Sequence, residues 1–588
     1  MVYGKCRTSN LFHLPKSSID YHTLIFQHSS IPFFSSTRNS YKQQKFNLYL
    51  RCKNITTGHC YSSLPTLATP SFLVYRSLHP EISPRPNGGF NLDPNRVLDL
   101  ILESLEARPS QHQFYTGLLN QYPCESATIS ELLGFKLNNY ASNGKDTKGI
   151  YTTIALLIQA NILQLSDIYS WLTPEDSSMI ECHLKEENEA KEIVRKLNVI
   201  STKDKDKDKE KEQERQEEES LKEDFKNQEV YLSNQKIQLC IALIEVGAWE
   251  HFVEISSRFP DYYLMSFPPV SQALCQLVHA TIEPIYREVC NLPSRLKASR
   301  VKPLDNPLAP QPARKFSDVS ATVFPMLLVL GPHLYHDPGL MCKVLRVARV
   351  ALKETPVGED GERSNFYFEF LSVLDEVLLP SLSMLDSNPC LAEEIWETLK
   401  IYPYQHRYRL YGRWKNESFT QHPMLMRRRA WLLKKAKFIM MRITKETIKP
   451  VSRGIGKLTH NNPGPIFHYI LIQVQLYDNL IGPVVDSFKY LTSLSYDMLG
   501  YCIVEILSEN KDRTAHEEMI ISPWLQSLSS FCGTVFKKYV TDLGGILQFV
   551  ANQLKSEKSI DLLILREIVQ KMGGTDTLED LTAEQVRV

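Results

Sequence analysis

The chain has 588 residues, of which 43% are hydrophobic and 23% are charged, and its 67 Lys and Arg residues balance 67 Asp and Glu residues. A net charge of zero argues against nucleic-acid binding by the protein as a whole, because affinity for phosphate requires a basic excess over the contact surface. The twelve cysteines are scattered without C-x-x-C spacing, which favours reduced thiols over a disulfide framework or a zinc site.

The N-terminal residues 1–89 differ in composition from the rest of the chain. They contain thirteen serines and ten Lys and Arg residues, but only Asp20 and Glu81 as acids, and they show no sustained helical periodicity. We predict a disordered arm here. The alternatives are an organellar transit sequence, or sequence joined wrongly to the true start of the protein.

Helical patterns begin near residue 92 and continue to the C-terminus. Asp93 followed by Pro94 is typical of a helix start. Residues 149–176 predict one helix, a short joint and a second helix that begins at Ser166 or Asp167. The longest apolar run, 321–330, falls short of the roughly 20 residues that span a bilayer, so we expect no membrane contact.

Two interruptions divide the helical pattern. Residues 201–228 contain a dense run of alternating charges, which predicts a linker or a solvated helix, because such a segment cannot cover a core. Residues 291–316 are rich in proline and predict a second linker. The predicted helical blocks are 90–200, 229–290, 317–419 and 420–588.

The C-terminal third has the most regular spacing. Apolar residues recur at helical intervals over 466–481, with Ile470 on the predicted buried face. Ser522 and Pro523 predict a helix start, with Trp524 and Phe531 on the inner stripe. Short helices joined by short turns predict an all-α fold, an extended α-solenoid of HEAT-like helix pairs.

Sequence motifs of the common enzyme classes, including phosphate-binding glycine loops and the zinc-protease motif, are absent from the chain. His333, His336 and Asp337 are possible metal ligands, but two histidines on a proline-flanked turn are more typical of loop residues. We therefore predict no catalytic activity, no cofactor, no metal and no small-molecule substrate.

A local basic excess lies between residues 400 and 460. This segment contains sixteen Lys and Arg residues, and its acids are Glu417 and Glu446. Its first part reads YPYQHRYRLYGRWKNE (402–417). Aromatic rings at helical spacing are typical of a packed core. The predicted core residues are Tyr404, Tyr408 and Tyr411, and the arginines predicted to contact a partner or RNA are Arg407, Arg409 and Arg413.

The next helix, predicted over 423–447, has separable faces. Leu432 and Ile439 belong to a predicted buried stripe, and basic residues recur every seven positions beside it. This arrangement suits an RNA backbone or an acidic partner. A solvated basic flank without a ligand is the alternative. The partner or RNA-binding candidates here are Arg428, Trp431, Lys435, Phe438 and Arg442.

Several long sequence segments resemble the THO complex subunit 2 family, the large scaffold of the nuclear complex that couples transcription to mRNA export. These segments are YPYQHRYRLYGRWKNE, IGKLTHNNPGPIFHYIL, YDNLIGPVVDSFKYLTSLSYDMLGYCIVEIL, SPWLQSLSSFCGTVFKKY and ASNGKDTKGIYTTIALL. The resemblance covers roughly residues 90–588 and does not include 1–89.

The resemblance implies a nuclear, non-catalytic scaffold that organises the other THO complex subunits and the DEAD-box ATPase of mRNA export on nascent transcripts, for mRNP assembly and export. It implies that 420–588 resembles the HEAT-type middle domain of initiation factor 4G. Family members continue farther C-terminally, so we expect this chain to be a fragment. The alternative function is direct RNA binding through the basic surface at 400–460.

Overall fold

The computed structural model describes most of the chain beyond residue 92. The predicted arm 1–89 and linker 201–228 lie outside the described residues, as does most of 291–316. The chain divides into two compact units, Met1–Leu100 and Ile101–Val588. The described ranges are 93–122, 124–143, 148–199, 234–290, 308–354, 365–444, 446–509, 511–514 and 521–573.

The described residues are almost entirely helical, and the β-structure among them is one isolated bridge between Thr514 and Ile521. The helices up to residue 354 are α1 (Pro94–Ala107), α2 (His112–Gln121), α3 (Ser126–Asn143), α4 (Lys148–Gln159), α5 (Leu165–Tyr169), α6 (Asp176–Val199), α7 (Gln235–Val246), α8 (Trp249–Ser256), α9 (Pro268–Val289), α10 (Phe324–Leu330, preceded by Phe316–Asp318 and the π-helical turn Val319–Val323) and α11 (Pro338–Glu354).

The remaining helices carry the basic surface and the regular C-terminal third. They are α12 (Asn365–Val373, followed by the π-helical turn Leu374–Leu378), α13 (Leu379–Met384), α14 (Pro389–Leu399), α15 (Tyr404–Arg413, followed by the π-helical turn Trp414–Ser418), α16 (Pro423–Met440), α17 (Ile448–Thr459), α18 (Pro463–Leu476), α19 (Ile481–Ser487), α20 (Ser493–Ser508), α21 (Pro523–Lys538), α22 (Gly544–Lys555) and α23 (Leu562–Gly573).

The predicted helix starts agree with the structure at both ends of the chain. Asp93 Oδ1 accepts a hydrogen bond from the Asn95 backbone N–H at 3.1 Å, and α1 begins at Pro94. α5 begins at Leu165, one residue before the predicted start. α21 begins at Pro523, as the Ser-Pro pair indicates.

The single buried helical face predicted over 466–481 is longer than the helix in the structure. α18 ends at Leu476, and the next residue, Tyr477, is 54% exposed because the chain turns into the short 3-10 helix Asp478–Leu480. Ile470 is buried inside α18. Phe531 is buried in α21, but Trp524 is only half-buried, so its predicted core position is corrected. Trp524 Nε1 donates to the Asp512 carbonyl at 3.0 Å, a contact near the protein surface.

Within the second unit, the helices pack largely in chain order. α4 contacts α7, α7 contacts α9, α9 contacts α11, and α11 contacts α14. The series continues through α20, α18 and α21 to α23. This stacking agrees with an all-α solenoid, in which each element packs mainly on its neighbours. The HEAT-type repeat remains a prediction.

Besides the step from α14 to α20, a further contact departs from chain order. α16 packs along α6, more than two hundred residues earlier in the sequence. Arg427 Nη2 lies 3.5 Å from Glu189 Oε2 across this contact, and the neighbouring Ala190 is fully buried. The start of the basic helix α16 is therefore covered on one side by α6.

The helical stretch Phe316–His336 is long and apolar enough to cross a membrane by length and composition alone. The sequence-based expectation of no membrane contact took only the shorter run 321–330 into account. In the structure 56% of the most apolar window is buried inside the protein, and core helices of soluble proteins meet the same criterion.

Candidate partner-binding site on the basic helices

The guanidinium of Arg407 lies inside the protein and not on a surface. Its Nε and Nη2 donate to the two carboxylate oxygens of Asp497 at 2.8 and 3.0 Å, and its Nη1 donates to the Tyr402 carbonyl at 2.9 Å. Asp542 accepts a further bond at 3.1 Å. The prediction that Arg407 contacts a partner is therefore corrected, because α20 supplies an acid that the local sequence does not contain.

Tyr411 belongs to the same buried cluster. Its hydroxyl donates to Asp497 Oδ2 at 2.7 Å, and burial followed by the Asp497 charge raises the pKa of Tyr411 well above its usual value. Tyr404 and Tyr408 are half-buried. Tyr408 packs against α22 where Gly545 leaves room, since a Cβ at Gly545 would lie 2.5 Å from the Tyr408 hydroxyl.

Arg413 and Arg409 have different surroundings from Arg407. Arg413 forms an ion pair with Asp375 and a second with Glu417 at 3.1 Å. Burial raises the pKa of Asp375 to about 6, although the Arg413 charge opposes the shift. Arg409 is exposed. Of the three arginines predicted on α15, Arg409 alone is fully available to a partner, and Arg413 is partly occupied.

α16 has the separated faces that its spacing predicts. Leu432 is buried, while Ile439 is half-buried at the edge of a cavity. Two cations flank one ring: Arg428 Cζ lies 4.7 Å and Lys435 Nζ 3.9 Å from the centre of Trp431. These distances are typical of cation–π contacts.

The second aromatic of this face, Phe438, repeats the arrangement about two turns later. Arg442 Cζ lies 3.7 Å from the centre of the Phe438 ring, and Arg442 is exposed. The structure therefore brings all five candidates into two cation–aromatic groups, four of them on α16 and Arg442 two residues after its end. Whether they bind a ligand remains a prediction.

A cavity of about 270 Å³ opens beside Trp431, and we call it the α16–α17 cavity. Its walls come from α16, from α17, from the residues after α17 and from the segment after α13. The lining residues are Leu385, Asp386, Ser387, Arg428, Trp431, Leu432, Lys435, Ile439, Gly454, Lys457, Leu458, Asn461 and Asn462.

The wall that follows α13 is fixed by side chains from the basic region. Asn461 Nδ2 donates to the Leu385 and Asp386 carbonyls, each at 3.0 Å, and Arg428 Nη2 donates to the Leu385 carbonyl at 2.8 Å. Burial lowers the pKa of Arg428, and the nearby Asp386 carboxylate only partly offsets this. The Asp386 side chain itself is fully exposed to water.

Two buried polar atoms at the cavity have no hydrogen-bond partner. They are Arg428 Nε, a donor, and Asn462 Oδ1, an acceptor. Asn462 is 1% exposed and its Nδ2 donates to the Ser383 carbonyl at 3.2 Å. Buried polar groups without partners are uncommon and indicate a missing ligand, a water or stored strain.

The sequence analysis missed the lysine and asparagines that complete the cavity. Lys457, Asn461 and Asn462 lie within IGKLTHNNPG, a segment noted only for its family resemblance. Lys449, Arg453 and Lys457 recur every four residues along α17 and are all exposed. That spacing is the signal from which a second basic face could have been found.

Asp337, the acid considered as a metal ligand with His333 and His336, has other partners in the structure. Asp337 Oδ2 lies 2.8 Å from His279 Nε2, and Asp337 Oδ1 accepts the Leu340 N–H. His333 is buried, and burial lowers its pKa to about 3. No cluster of three or more metal-ligating side chains occurs among the described residues.

Two family profiles match the chain. The profile described as "THO complex subunit 2 N-terminus" matches residues 30–315 and 311–453, and that described as "Transcription- and export-related complex subunit" matches residues 455–529. The first match begins at residue 30. The similarity therefore extends into 1–89, where the sequence resemblance was expected to be absent.

Individual relatives agree with the family profiles. THO complex subunit 2 of Homo sapiens is 46% identical over 562 residues, which cover 94% of this chain and 34% of the human protein. The protein of the same name from Dasypus novemcinctus is 47% identical, with the same coverage. That from Arabidopsis thaliana is 31% identical over 592 residues, with 94% and 32% covered. The chain spans about a third of the length of these curated relatives.

Proposed function

The chain belongs to the THO complex subunit 2 family, and we propose that it is a non-catalytic helical scaffold of a nuclear THO complex that acts in mRNP assembly and mRNA export. The match of the N-terminal family profile over most of the chain carries this proposal. Relatives from mammals and a plant are named as a complex subunit and not as an enzyme.

The all-α architecture supports a scaffolding role. Helices that pack on their sequence neighbours form a long surface without needing one closed core, and such surfaces hold several partners at fixed spacing. We infer that the other THO complex subunits are among these partners. A DEAD-box ATPase is the proposed partner of residues 420–588, which resemble the middle domain of initiation factor 4G.

Affinity capture from nuclear extract tests this proposal. The tagged full chain is expected to recover THO complex subunits and a DEAD-box ATPase, identified by mass spectrometry. A Phe531→Asp variant is the matched control, because a carboxylate in place of a fully buried ring disrupts the core of α21. Recovery of no THO subunit by the parent chain, or equal recovery by the control, would contradict the proposal.

Direct RNA binding is a second candidate function, and the exposed cations of α16 and α17 favour it. We define the outer basic surface as Lys434, Lys437, Arg442, Lys449 and Arg453, all of which are exposed. Within the described residues none of these five forms an ion pair with an acid. Such cations are suited to phosphate contacts that are independent of base sequence.

Salt-dependent binding of single-stranded RNA tests the second function. Affinity is expected to fall steeply with salt, and the slope is expected to decrease when Lys434, Lys437 and Arg442 are changed to Glu. Arg428 is a poor choice for this test because it is half-buried and donates to the Leu385 carbonyl. Binding that does not respond to salt would exclude this function.

A further inference from the structure

The α16–α17 cavity combines apolar walls with a basic rim. Its apolar walls include Leu432, Ile439 and Leu458, and its rim carries Lys435 and Lys457. A volume of about 270 Å³ is at the lower limit for a small-molecule pocket. The size is therefore suited to a single inserted side chain and not to a complete cofactor.

The positive charge around the cavity favours an anionic ligand. Arg428, Lys435 and Lys457 line it, and the one carboxylate in the lining, Asp386, lies 3.6 Å from Arg428 Nη2 and is fully exposed to water. Trp431 holds Arg428 and Lys435 at 4.7 and 3.9 Å from its ring centre. Since these cations are already positioned, less conformational entropy is lost when they bind an anion.

The two unpaired buried atoms point to a peptide backbone. Arg428 Nε requires an acceptor and Asn462 Oδ1 requires a donor, and one residue of an extended peptide offers both a C=O and an N–H. Both atoms are closed to solvent at the observed rotamers. Binding therefore requires side-chain rotations of the kind that are common when interfaces form.

A protein ligand fits these walls better than a nucleobase. Base recognition on an aromatic platform needs a free ring face, whereas the Trp431 ring is flanked by Arg428 and Lys435. Leu432, Ile439 and Leu458 give the cavity an aliphatic wall, which packs well against a Leu, Ile or Met side chain.

We propose that the α16–α17 cavity binds an acidic peptide segment of another protein. The peptide inserts one apolar side chain against Leu432, Ile439 and Leu458, and its carboxylates contact Lys435 and Lys457 at the rim. This inference goes beyond the scaffold function, because it concerns a ligand of the chain itself and is tested without the other complex subunits.

Fluorescence anisotropy with the purified full chain tests the proposal. The probe is a short labelled synthetic peptide of Glu and Asp residues around one Leu, and its partner probe carries Ala in place of that Leu. The Leu peptide is expected to bind, and the Ala peptide more weakly by about tenfold, as expected for the loss of a buried aliphatic side chain. Equal affinities, or no binding by either peptide, would overturn the proposal.

Matched charge variants separate the cavity from general attraction. Lys435→Glu with Lys457→Glu changes two lining residues, whereas Lys434→Glu with Lys437→Glu makes the same charge change at exposed residues outside the lining. The first pair is expected to weaken peptide binding by about tenfold or more, and the second by less than about threefold. Equal losses from the two pairs would mean non-specific attraction and would overturn the proposal.

A cavity-filling variant distinguishes peptide from RNA. Ile439→Trp fills the space beside Leu432 and is expected to abolish the preference for the Leu peptide, while single-stranded RNA binding stays unchanged. If this variant weakens RNA binding and leaves peptide binding intact, the cavity is an RNA site and the proposal fails. Thermal unfolding of each variant is measured beside the parent, and a second filling variant, Gly454→Ala, is used if Ile439→Trp unfolds.

Discussion

The consecutive helices α15 and α16 have similar aromatic and basic residues, but their cations lie in opposite environments. Arg407 of α15 is enclosed by Asp497 and Asp542. Arg442, two residues after the end of α16, lies on the Phe438 ring and is exposed to solvent. The composition of a helix therefore determines which charges are present but not which of them remain available to a ligand.

The difference arises from acids that are distant in sequence. Asp497 lies 90 residues after Arg407 and is brought to it by the packing of α20 on α15. Beside α16, Glu189 lies near Arg427 and Asp386 lies near Arg428, and both acids are exposed. Because the buried acids Asp497 and Asp375 pair with α15, whereas the two acids beside α16 are exposed, we expect cations to stabilise the fold in the first helix and to bind partners in the second.

The largest effect is expected from removing the buried cation of α15. Arg407→Met leaves Asp497, whose side chain is 3% exposed, with the Tyr411 hydroxyl as its remaining side-chain donor. Breaking a buried ion pair in this way costs about 3 to 5 kcal/mol. Urea denaturation followed by circular dichroism measures the change in the free energy of unfolding.

The paired variant tests whether the uncompensated charge causes that loss. In Arg407→Met with Asp497→Asn, the amide oxygen still accepts from Tyr411 but no longer carries a charge. At least half of the lost stability is expected to return. If the double variant is as unstable as Arg407→Met alone, the loss of stability comes from packing around the guanidinium and not from the unpaired charge of Asp497. The contrast between the two helices would then not be one of charge pairing.

The next effect concerns His422, which lies between the end of α15 and the start of α16. Burial lowers the pKa of His422 to about 4, although the Asp261 charge opposes the shift. A histidine with a lowered pKa in the folded state contributes stability above its unfolded pKa of about 6.5, and this is lost as the pH falls towards 4. The expected loss is up to about 3 kcal/mol.

Comparison with His422→Gln isolates this titration. Asp375, with a pKa raised by burial to about 6, acts in the opposite direction, because its protonated form is favoured in the folded state and stability falls as the pH rises to 6. The stability difference between the variant and the parent removes that background. We expect the difference to change between pH 6.5 and 4, and a constant difference would contradict the buried, neutral state of His422.

A smaller effect is expected at Lys415, in the π-helical turn after α15. Its side chain is 6% exposed and forms an ion pair with Glu505. In Lys415→Met, Glu505 keeps hydrogen bonds from Asn416 at 3.1 Å and Tyr501 at 3.2 Å. Because two donors remain, the cost is expected to be about 1 to 2 kcal/mol. A loss as large as that of Arg407→Met in the same denaturation assay would contradict this ranking.

Helical spacing predicted the class of the fold and the face of α16, because both depend on residues three to seven apart. Leu432 and the cations beside Trp431 and Phe438 follow from that spacing. The burial of Arg407 and the wall formed by Leu385 do not, since each depends on a segment tens of residues away. Local patterns therefore identified the residues of the α16 wall of the cavity, five of the thirteen that line it, and the cavity itself depends on tertiary packing.

The smallest effect on stability is expected for Arg442, just after α16. It tests the other side of the comparison between the cations of α15 and those of the α16 face. Arg442→Ala removes a cation that lies 3.7 Å from the Phe438 ring centre and is exposed. Exposed cation–π contacts contribute about 0.5 to 1 kcal/mol, so the loss is expected to be less than about 1 kcal/mol in the same urea assay. The same variant is expected to reduce the salt dependence of RNA binding, which Lys415→Met leaves unchanged. If Arg442→Ala instead destabilises the fold as strongly as Lys415→Met, the cations of α16 hold the structure together as those of α15 do, and the two helices do not differ in role.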